Sequence, residues 1–265
     1  GLVDPQMHTI GGECPILVRL AGESRVISVN GNMAAPAKAT PEAFRARGLA
    51  DIPDSGILAA GVPAAFGALV TALQKWGTMP LRDVIAPAIE LAKQGFPVSE
   101  GLRNQHKYGI APMAKRFAAE WPGSAKLYLP LPEVGARFRN PALARTFEYL
   151  AAAKDPLAAF YKGDVAAEIA KFSREQDGFL AREDLAAFET RIEAPASLRL
   201  GDTELFKTGF WSQGPAELQT LALMWQFDLK SIGFGTPDYC HLLVEAMKLA
   251  YADREQYYGD PAFAK

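Results

Sequence analysis

The segment 239–260 constrains the fold most, because it predicts one long amphipathic helix. Its apolar residues recur three and four positions apart, with charged residues between them. The segment contains no proline, and Gly259 predicts where the helix ends. A helix of this kind needs other elements to cover its apolar face.

Helical patterns dominate the chain from residue 40 onward. Thr40 as N-cap, followed by Pro41 and Glu42, is typical of a helix start. Pro87 is expected to kink or break one of the later helices, Pro112 is expected to interrupt another, and residues 121–141 are expected to form an exposed excursion. The remaining helices are predicted over residues 63–76, 81–94, 99–120, 141–153, 163–176 and 214–227, with a short one from Arg182.

Strands are few in this pattern. One hairpin is predicted from the apolar runs 16–20 and 25–29, and a second over residues 198–208, turning at Gly201-Asp202. Two hairpins cannot form a self-sufficient sheet, so they look like edges of a larger sheet completed by sequence outside this chain. We therefore expect an α+β, helix-rich chain forming a single domain over residues 1–265.

Composition excludes several classes of protein. The net charge is −2, so no strong field attracts nucleic acid, and no run reaches the about 18 to 20 apolar residues of a membrane span. Phosphate-binding glycine motifs and a serine nucleophile elbow are absent from the sequence. His241 and Glu245 have a helical metal-ligand spacing, but a hydrogen-bonded pair is the favoured interpretation and no metal is expected.

Three polar groups are candidates for a site. Ser212 and Gln213 precede a predicted helix, where they could border an anion site or simply cap the helix. Asp253-Arg254 is interpreted as an ion pair that ties the last helix to its neighbours. Residues 30–32 form a polar Asn-Gly-Asn corner, which composition alone identifies as a turn.

Short motifs along nearly the whole chain resemble the large subunit of the gamma-glutamyltranspeptidase family, in the order that the family shows. They lie at residues 10–12, 35–36, 61–63, 87–92, 95–98, 160–163, 183–185 and 241–254. The resemblance implies an N-terminal-nucleophile (Ntn) hydrolase, an αββα sandwich shared with a light chain cut from the same precursor. This chain would be the heavy-chain portion of that two-chain protein.

The resemblance also implies the chemistry and the partners. The catalytic threonine would lie on the light chain, so we expect no catalytic residue in this chain, no cofactor and no metal. The substrate would be a small amide, a γ-glutamyl compound such as glutathione or a related acyl-amide. A dimer of such heterodimers, and a periplasmic or cytoplasmic location, are left open, because the true N-terminus is expected to be missing.

Two departures from the family pattern bear on the substrate. The family places a carboxylate-binding arginine at the position where this chain has Asn32. The family also has a serine- and glycine-rich turn at the position where this chain has Ser212-Gln213-Gly214. We therefore assign substrate binding to Asn30, Gly31 and Asn32, and expect a divergent member similar to cephalosporin acylases or oxamate-type amidohydrolases. The alternative is a non-catalytic relative that acts as a small-molecule binding protein because its light chain has lost the threonine.

Overall fold

The computed structural model describes residues 1–263, which form thirteen α-helices and seven short strands. The helix-rich α+β prediction is confirmed. The strands are β1 (Ile16–Arg19), β2 (Val26–Asn30), β3 (Phe96–Pro97), β4 (Arg137–Phe138), β5 (Arg191–Glu193), β6 (Ala196–Leu200) and β7 (Thr203–Lys207). The helices are α1 (Pro41–Arg45), α2 (Ala65–Trp76), α3 (Leu81–Gln94), α4 (Glu100–Asn104), α5 (Ile110–Glu120), α6 (Pro122–Tyr128), α7 (Pro141–Ala152), α8 (Pro156–Tyr161), α9 (Asp164–Glu175), α10 (Arg182–Ala187), α11 (Gly214–Met224), α12 (Leu229–Ile232) and α13 (Pro237–Tyr257).

The chain divides into two compact units. The first contains residues 1–14 and 33–189, and the second contains residues 15–32 and the residues from Thr190 onward. The expectation of a single domain over residues 1–265 stays a prediction.

One core of the first unit lies where α2, α8 and α9 meet. Phe66 of α2 stacks on Phe160 of α8, with ring centroids 4.7 Å apart, and both are almost fully buried. The neighbouring Tyr161 hydroxyl donates a hydrogen bond to the Pro63 carbonyl (2.7 Å) and accepts one from the Gly67 N–H (3.2 Å). Burial raises the pKa of Tyr161, which keeps the hydroxyl protonated as a donor. Tyr161 therefore fixes the start of α2 against α8.

A second core of the first unit corrects the expectation for residues 121–141. This segment is not an exposed excursion, since it contains α6 and then β4, which pairs with β3 through Phe96 and Phe138. Tyr128 lies between the rings of Phe117 and Phe138, at centroid distances of 5.7 and 5.6 Å. The aromatic side chains hold the segment against the unit, an effect that proline and glycine content does not reveal.

The expectation for Pro112 was wrong, and of the two alternatives for Pro87 the break is absent while the kink stays a prediction. Helix α3 continues through Pro87 without a break, because the proline removes only one backbone hydrogen bond from a helix of fourteen residues. The helix expected over residues 99–120 is interrupted at residues 105–109, and Pro112 does not cause that interruption. Pro112 lies in the first turn of α5, where a backbone N–H has no partner within the helix.

The second unit contains the two predicted hairpins. Strands β1 and β2 pair as predicted, and β5 adds to the other edge of β2 to give the antiparallel order β1-β2-β5. Strands β6 and β7 pair with the turn at residues 201–202, where Gly201 has a φ of +57°. Helix α13 matches the predicted last helix and ends at Tyr257. Among residues 1–263 no helix is long and apolar enough to cross a membrane.

The interpretation of Asp253-Arg254 as an ion pair with neighbouring elements needs correction. Asp253 does reach α11, but by accepting a hydrogen bond from the Gln219 amide. Arg254 pairs with Glu255, the next residue, at 2.9 Å. The carboxylate thus ties α13 to α11 through a neutral donor, and the guanidinium stays on its own helix.

Candidate substrate-binding site

The polar face of β2 is the core of the candidate site. Successive side chains of a strand point to opposite faces, so Ser28 and Asn30 share one face while Ile27 and Val29 share the other. Ser28 is 0% exposed and Asn30 is 4% exposed. A strand that buries an apolar face and a polar face at once needs a hydrogen-bond partner for each polar group.

Asn30 is oriented by its own chain. Its Oδ1 accepts a hydrogen bond from the Asn32 N–H at 3.0 Å, which closes a turn over the buried Gly31. The amide nitrogen of Asn30 and the hydroxyl of Ser28 are both buried, and neither has a partner among residues 1–263. Leaving a buried polar group unpaired costs about 1–3 kcal/mol. These two groups are therefore available to form hydrogen bonds with a molecule outside the described residues.

Strand β5 brings two charged residues to the same face. Arg191 lies opposite Asn30 and Glu193 lies opposite Ser28 in the antiparallel register. The Arg191 guanidinium pairs with Asp260 at 3.2 Å and its side chain is 49% exposed. The Glu193 carboxylate accepts a hydrogen bond from the Trp211 indole N–H. A partly exposed guanidinium thus lies on the strand next to the unpaired amide of Asn30.

The structure brings together the three residues that the sequence assigned to substrate binding. Asn30 and Asn32 are joined by the turn bond, and Gly31 lies between them. The assignment itself stays a prediction. Sequence analysis missed Ser28, Arg191 and Glu193, because β5 is only three residues long and pairs with β2 from about 160 positions away. The alternation of Arg191, Ile192 and Glu193 was the one local signal for that strand.

The segment before α11 is a closed turn. The Ser212 hydroxyl donates to the Gly209 carbonyl at 2.8 Å and accepts from the Gly214 N–H at 3.1 Å. It also shares a hydrogen bond with the Thr208 hydroxyl, at 2.6 Å. Gln213, at the N-cap position, makes no side-chain capping bond. The structure therefore favours the capping interpretation for Ser212, whose oxygen is already committed within the turn.

Among the described residues, the hydrogen bonds of the Glu245 carboxylate come from Lys248 and not from His241, so the interpretation of His241 and Glu245 as a hydrogen-bonded pair is corrected. Glu245 accepts two hydrogen bonds from the Lys248 ammonium, at 2.8 and 2.9 Å. The hydrogen bond from Lys248, helped by its charge, lowers the pKa of Glu245. Across the part of the chain that the structure describes, no three His, Cys, Asp or Glu side chains cluster as metal ligands.

Comparison with known proteins identifies the family. The gamma-glutamyltranspeptidase family model matches residues 1–265. The chain is 33% identical over 269 residues to the glutathione hydrolase proenzyme of Escherichia coli (strain K12), covering 98% of this chain and 45% of that protein. It is 31% identical over 279 residues to the acylase ACY 1 proenzyme of Pseudomonas sp. (strain SE83), covering 100% of this chain and 48% of that protein. The chain belongs to the gamma-glutamyltranspeptidase family.

A solved structure supports the same conclusion. The crystal structure of Helicobacter pylori gamma-glutamyltranspeptidase superposes with a TM-score of 0.90 at 28% identity, covering 100% of this chain and 76% of that chain. The fold prediction of an Ntn-hydrolase type is therefore confirmed. The chain spans about half the length of the curated relatives that it matches.

Proposed function

We propose that this chain is the heavy subunit of a self-processing enzyme that hydrolyses or transfers the acyl group of a small amide. The family match over all 265 residues, combined with coverage of only 45% of the first relative, is the observation that carries the proposal. The remainder of the relatives' length corresponds to a second chain, on which we place the threonine nucleophile. No cofactor is needed for this chemistry.

The reaction proceeds in two steps. The threonine hydroxyl attacks the amide carbonyl and gives its proton to the α-amino group of the same residue, which later protonates the leaving amine. Backbone N–H groups stabilise the oxyanion. Water, or an acceptor amine, then attacks the acyl ester and restores the hydroxyl. In this scheme the heavy chain contributes to holding the acyl group and does no bond breaking itself.

The second unit supports the presence of a second chain. On α13, the side chains of Val244, Met247 and Tyr251 are 52%, 39% and 43% exposed, and they share one helical face. Among the described residues, β1 and β5 each have one unpaired edge, and so do β6 and β7. Open edges and an exposed apolar stripe are features that a soluble protein normally covers. We propose that the light chain covers them.

The polar face of β2 and β5 supports a particular kind of acyl group. The unpaired Asn30 amide nitrogen can donate two hydrogen bonds, and the Arg191 guanidinium offers further N–H groups on the same face. A carboxylate accepts from both. We propose that the acyl group carries a carboxylate held by Asn30 and Arg191, with Gly31 and Asn32 shaping the corner beside it.

The test is an assay of the complete two-chain protein with a panel of amides. Glutathione, glutaryl-amide and oxamate carry a carboxylate near the amide, and butyramide does not. Release of amine or ammonia from the first three, lost when the N-terminal threonine of the second chain is replaced by alanine, is the expected result. Binding of these compounds without turnover, although the threonine is intact, would instead favour the non-catalytic alternative.

A pair of arginine variants tests whether Arg191 binds the carboxylate of the substrate. Arg191→Met should lower kcat/KM for the carboxylated amides about fivefold, the effect of losing roughly 1 kcal/mol of a partly exposed ionic contact. Arg199→Met is the matched control, since Arg199 lies on β6 and pairs with Glu204. An equal loss in both variants, or an equal loss for butyramide, would contradict the assignment.

A further inference from the structure

A cavity of about 500 Å³ lies within the first unit, between the N-terminal segment, the loop at residues 54–55 and helices α4, α5 and α6. Ligand cavities in proteins typically measure about 300–1,000 Å³ and combine apolar walls with a few polar groups. Neither Asn30, Gly31 nor Asn32 lines this cavity. Its chemistry therefore has to be judged from its own walls.

The base of the cavity is apolar and aromatic. Leu102, Ile110 and Phe117 are buried, with 1%, 3% and 8% of their surface exposed. Tyr128 lies against Phe117, and burial raises the pKa of its hydroxyl. That hydroxyl makes no hydrogen bond with residues 1–263 and stays protonated as a donor at neutral pH. The base thus suits a flat apolar group.

The rim of the cavity carries both signs of charge. Asp54 and Lys107 are exposed residues of the lining, and neither forms an ion pair within the described chain. Arg116, the third charged residue of the lining, is already committed, because it pairs with Glu120 at 2.8 Å and stacks on Trp121 at 4.5 Å. The Lys107 ammonium lies 5.3 Å from the centre of the Tyr108 ring. Unlike Arg116 it has no carboxylate partner among the described residues, so one carboxylate and one ammonium can each pair with a charged ligand.

We propose that this cavity binds a free amino acid with an aromatic or large apolar side chain. The ligand's ammonium group faces Asp54, and its carboxylate faces Lys107 and accepts a hydrogen bond from the Tyr128 hydroxyl. Its side chain enters the base beside Leu102, Ile110 and Phe117. A zwitterion matches the two opposite charges of the rim, whereas an amphiphile with a single charge leaves one of them repelled or unmatched.

Binding of three compounds to the complete two-chain protein tests the proposal by titration calorimetry. Phenylalanine carries both charges, 3-phenylpropanoate keeps the ring and the carboxylate, and phenethylamine keeps the ring and the ammonium. Phenylalanine should bind about threefold more tightly than either of the others, the scale expected of one exposed ion pair. Equal or tighter binding of a singly charged compound would overturn the zwitterion assignment.

Variants locate the binding site. Lys107→Met and Asp54→Asn should each weaken phenylalanine binding about threefold. Lys115→Met and Asp51→Asn are matched controls outside the lining and should bind as the parent protein does. Met113→Trp should raise Kd roughly tenfold or more, because the indole fills the cavity. Circular dichroism and the melting temperature check that this variant folds.

Tyr128→Phe keeps the shape of the base and removes only the hydroxyl, so it tests the cavity even if Met113→Trp fails to fold. It should weaken phenylalanine binding about twofold to fivefold, which corresponds to one hydrogen bond. Phenylalanine binding that is unchanged in Tyr128→Phe, Lys107→Met and Asp54→Asn would place the ligand elsewhere and overturn the proposal. Because binding is measured directly, these outcomes do not depend on whether the protein turns over any amide.

Discussion

The two units of the chain differ in how they pack their apolar side chains. The first unit has two clusters of buried apolar residues, one around Phe160 and one around Phe117. The second unit leaves an apolar stripe on α13 exposed, and its strands β1, β5, β6 and β7 each have an unpaired edge among residues 1–263. Buried polar groups without partners occur in both units, at Ser28 and Asn30 in the second and at Gln6, Gln105 and Ser173 in the first. The first unit therefore packs its apolar side chains on one another, and we propose that a second chain covers the exposed stripe of the second unit.

This difference means that the stability of the chain and its function depend on different units. Apolar burial of about 25 cal/mol per Å² accumulates in the first unit, where aromatic rings pack on one another. In the second unit, unpaired polar groups and open strand edges cost free energy unless a substrate or a partner chain satisfies them. We expect substitutions in the two units to affect different measurements.

Phe160→Ala should have the largest effect on stability. Phe160 is 1% exposed, and truncating a buried phenylalanine costs about 3–5 kcal/mol. Phe172→Ala is the control in the same unit, because Phe172 is 54% exposed and should cost no more than about 0.5 kcal/mol. Urea unfolding measures both. Similar costs for the two variants would contradict a self-sufficient core in the first unit.

Val244→Glu should have the largest effect on assembly. It places a charge in the exposed stripe of α13, and burying that charge against a light chain costs several kcal/mol unless it is paired. The amount of light chain that copurifies should fall by about tenfold or more. Gln256→Glu adds the same charge to an exposed position of α13 outside the stripe and should leave assembly intact. Normal copurification of the Val244→Glu variant would show that the stripe is not the interface.

Tyr161→Phe should cost about 1–3 kcal/mol, because the Pro63 carbonyl and the Gly67 N–H both lose a buried partner. The pKa of Tyr161 is raised in the folded state, so its contribution to stability is fully present below the ordinary tyrosine pKa near 10 and is lost as pH rises further. The variant should therefore lose stability at pH 7 and show a weaker alkaline dependence. Urea unfolding at pH 7 and pH 10.5 compares the two proteins, and parallel pH curves would contradict this role.

Thr40→Ala should have the smallest of these effects. The Thr40 hydroxyl accepts a hydrogen bond from the Ala43 N–H at 3.2 Å and caps the five-residue helix α1. Loss of an N-cap costs about 1 kcal/mol. Thr40→Ser keeps the hydroxyl and serves as the control in the same unfolding measurement. A cost for alanine no greater than that for serine would show that the cap is not stabilising.

Local signals were sufficient to predict much of the fold. The cap at Thr40, the turn at Gly201-Asp202 and the helix over residues 81–94 each depend on residues that are near one another in sequence, and the structure contains all three. The pairings of β3 with β4 and of β2 with β5 join residues about 40 and 160 positions apart. A periodic pattern within a short segment does not show which distant segment pairs with it. For this reason residues 121–141 were wrongly predicted to form an exposed excursion, and β5 was missed.

The candidate site shows the same limit. The corner at residues 30–32 was found from three adjacent residues, and the turn bond from Asn32 to Asn30 agrees with it. Arg191 could not be assigned to that corner, because only the register of β5 against β2 places it opposite Asn30. The arginine absent from residues 26–36 directed attention to Asn32, whereas Arg191 lies on a different strand, β5.

Hydrogen exchange of this chain, measured alone and in the complete two-chain protein, tests the difference between the units most directly. We predict that the second chain slows exchange at β1, β5, β6, β7 and α13 by about tenfold or more, because it pairs the open edges and covers the apolar stripe. Exchange in the core around Phe160 and Tyr161 should change little. Unchanged exchange throughout the second unit would contradict the account.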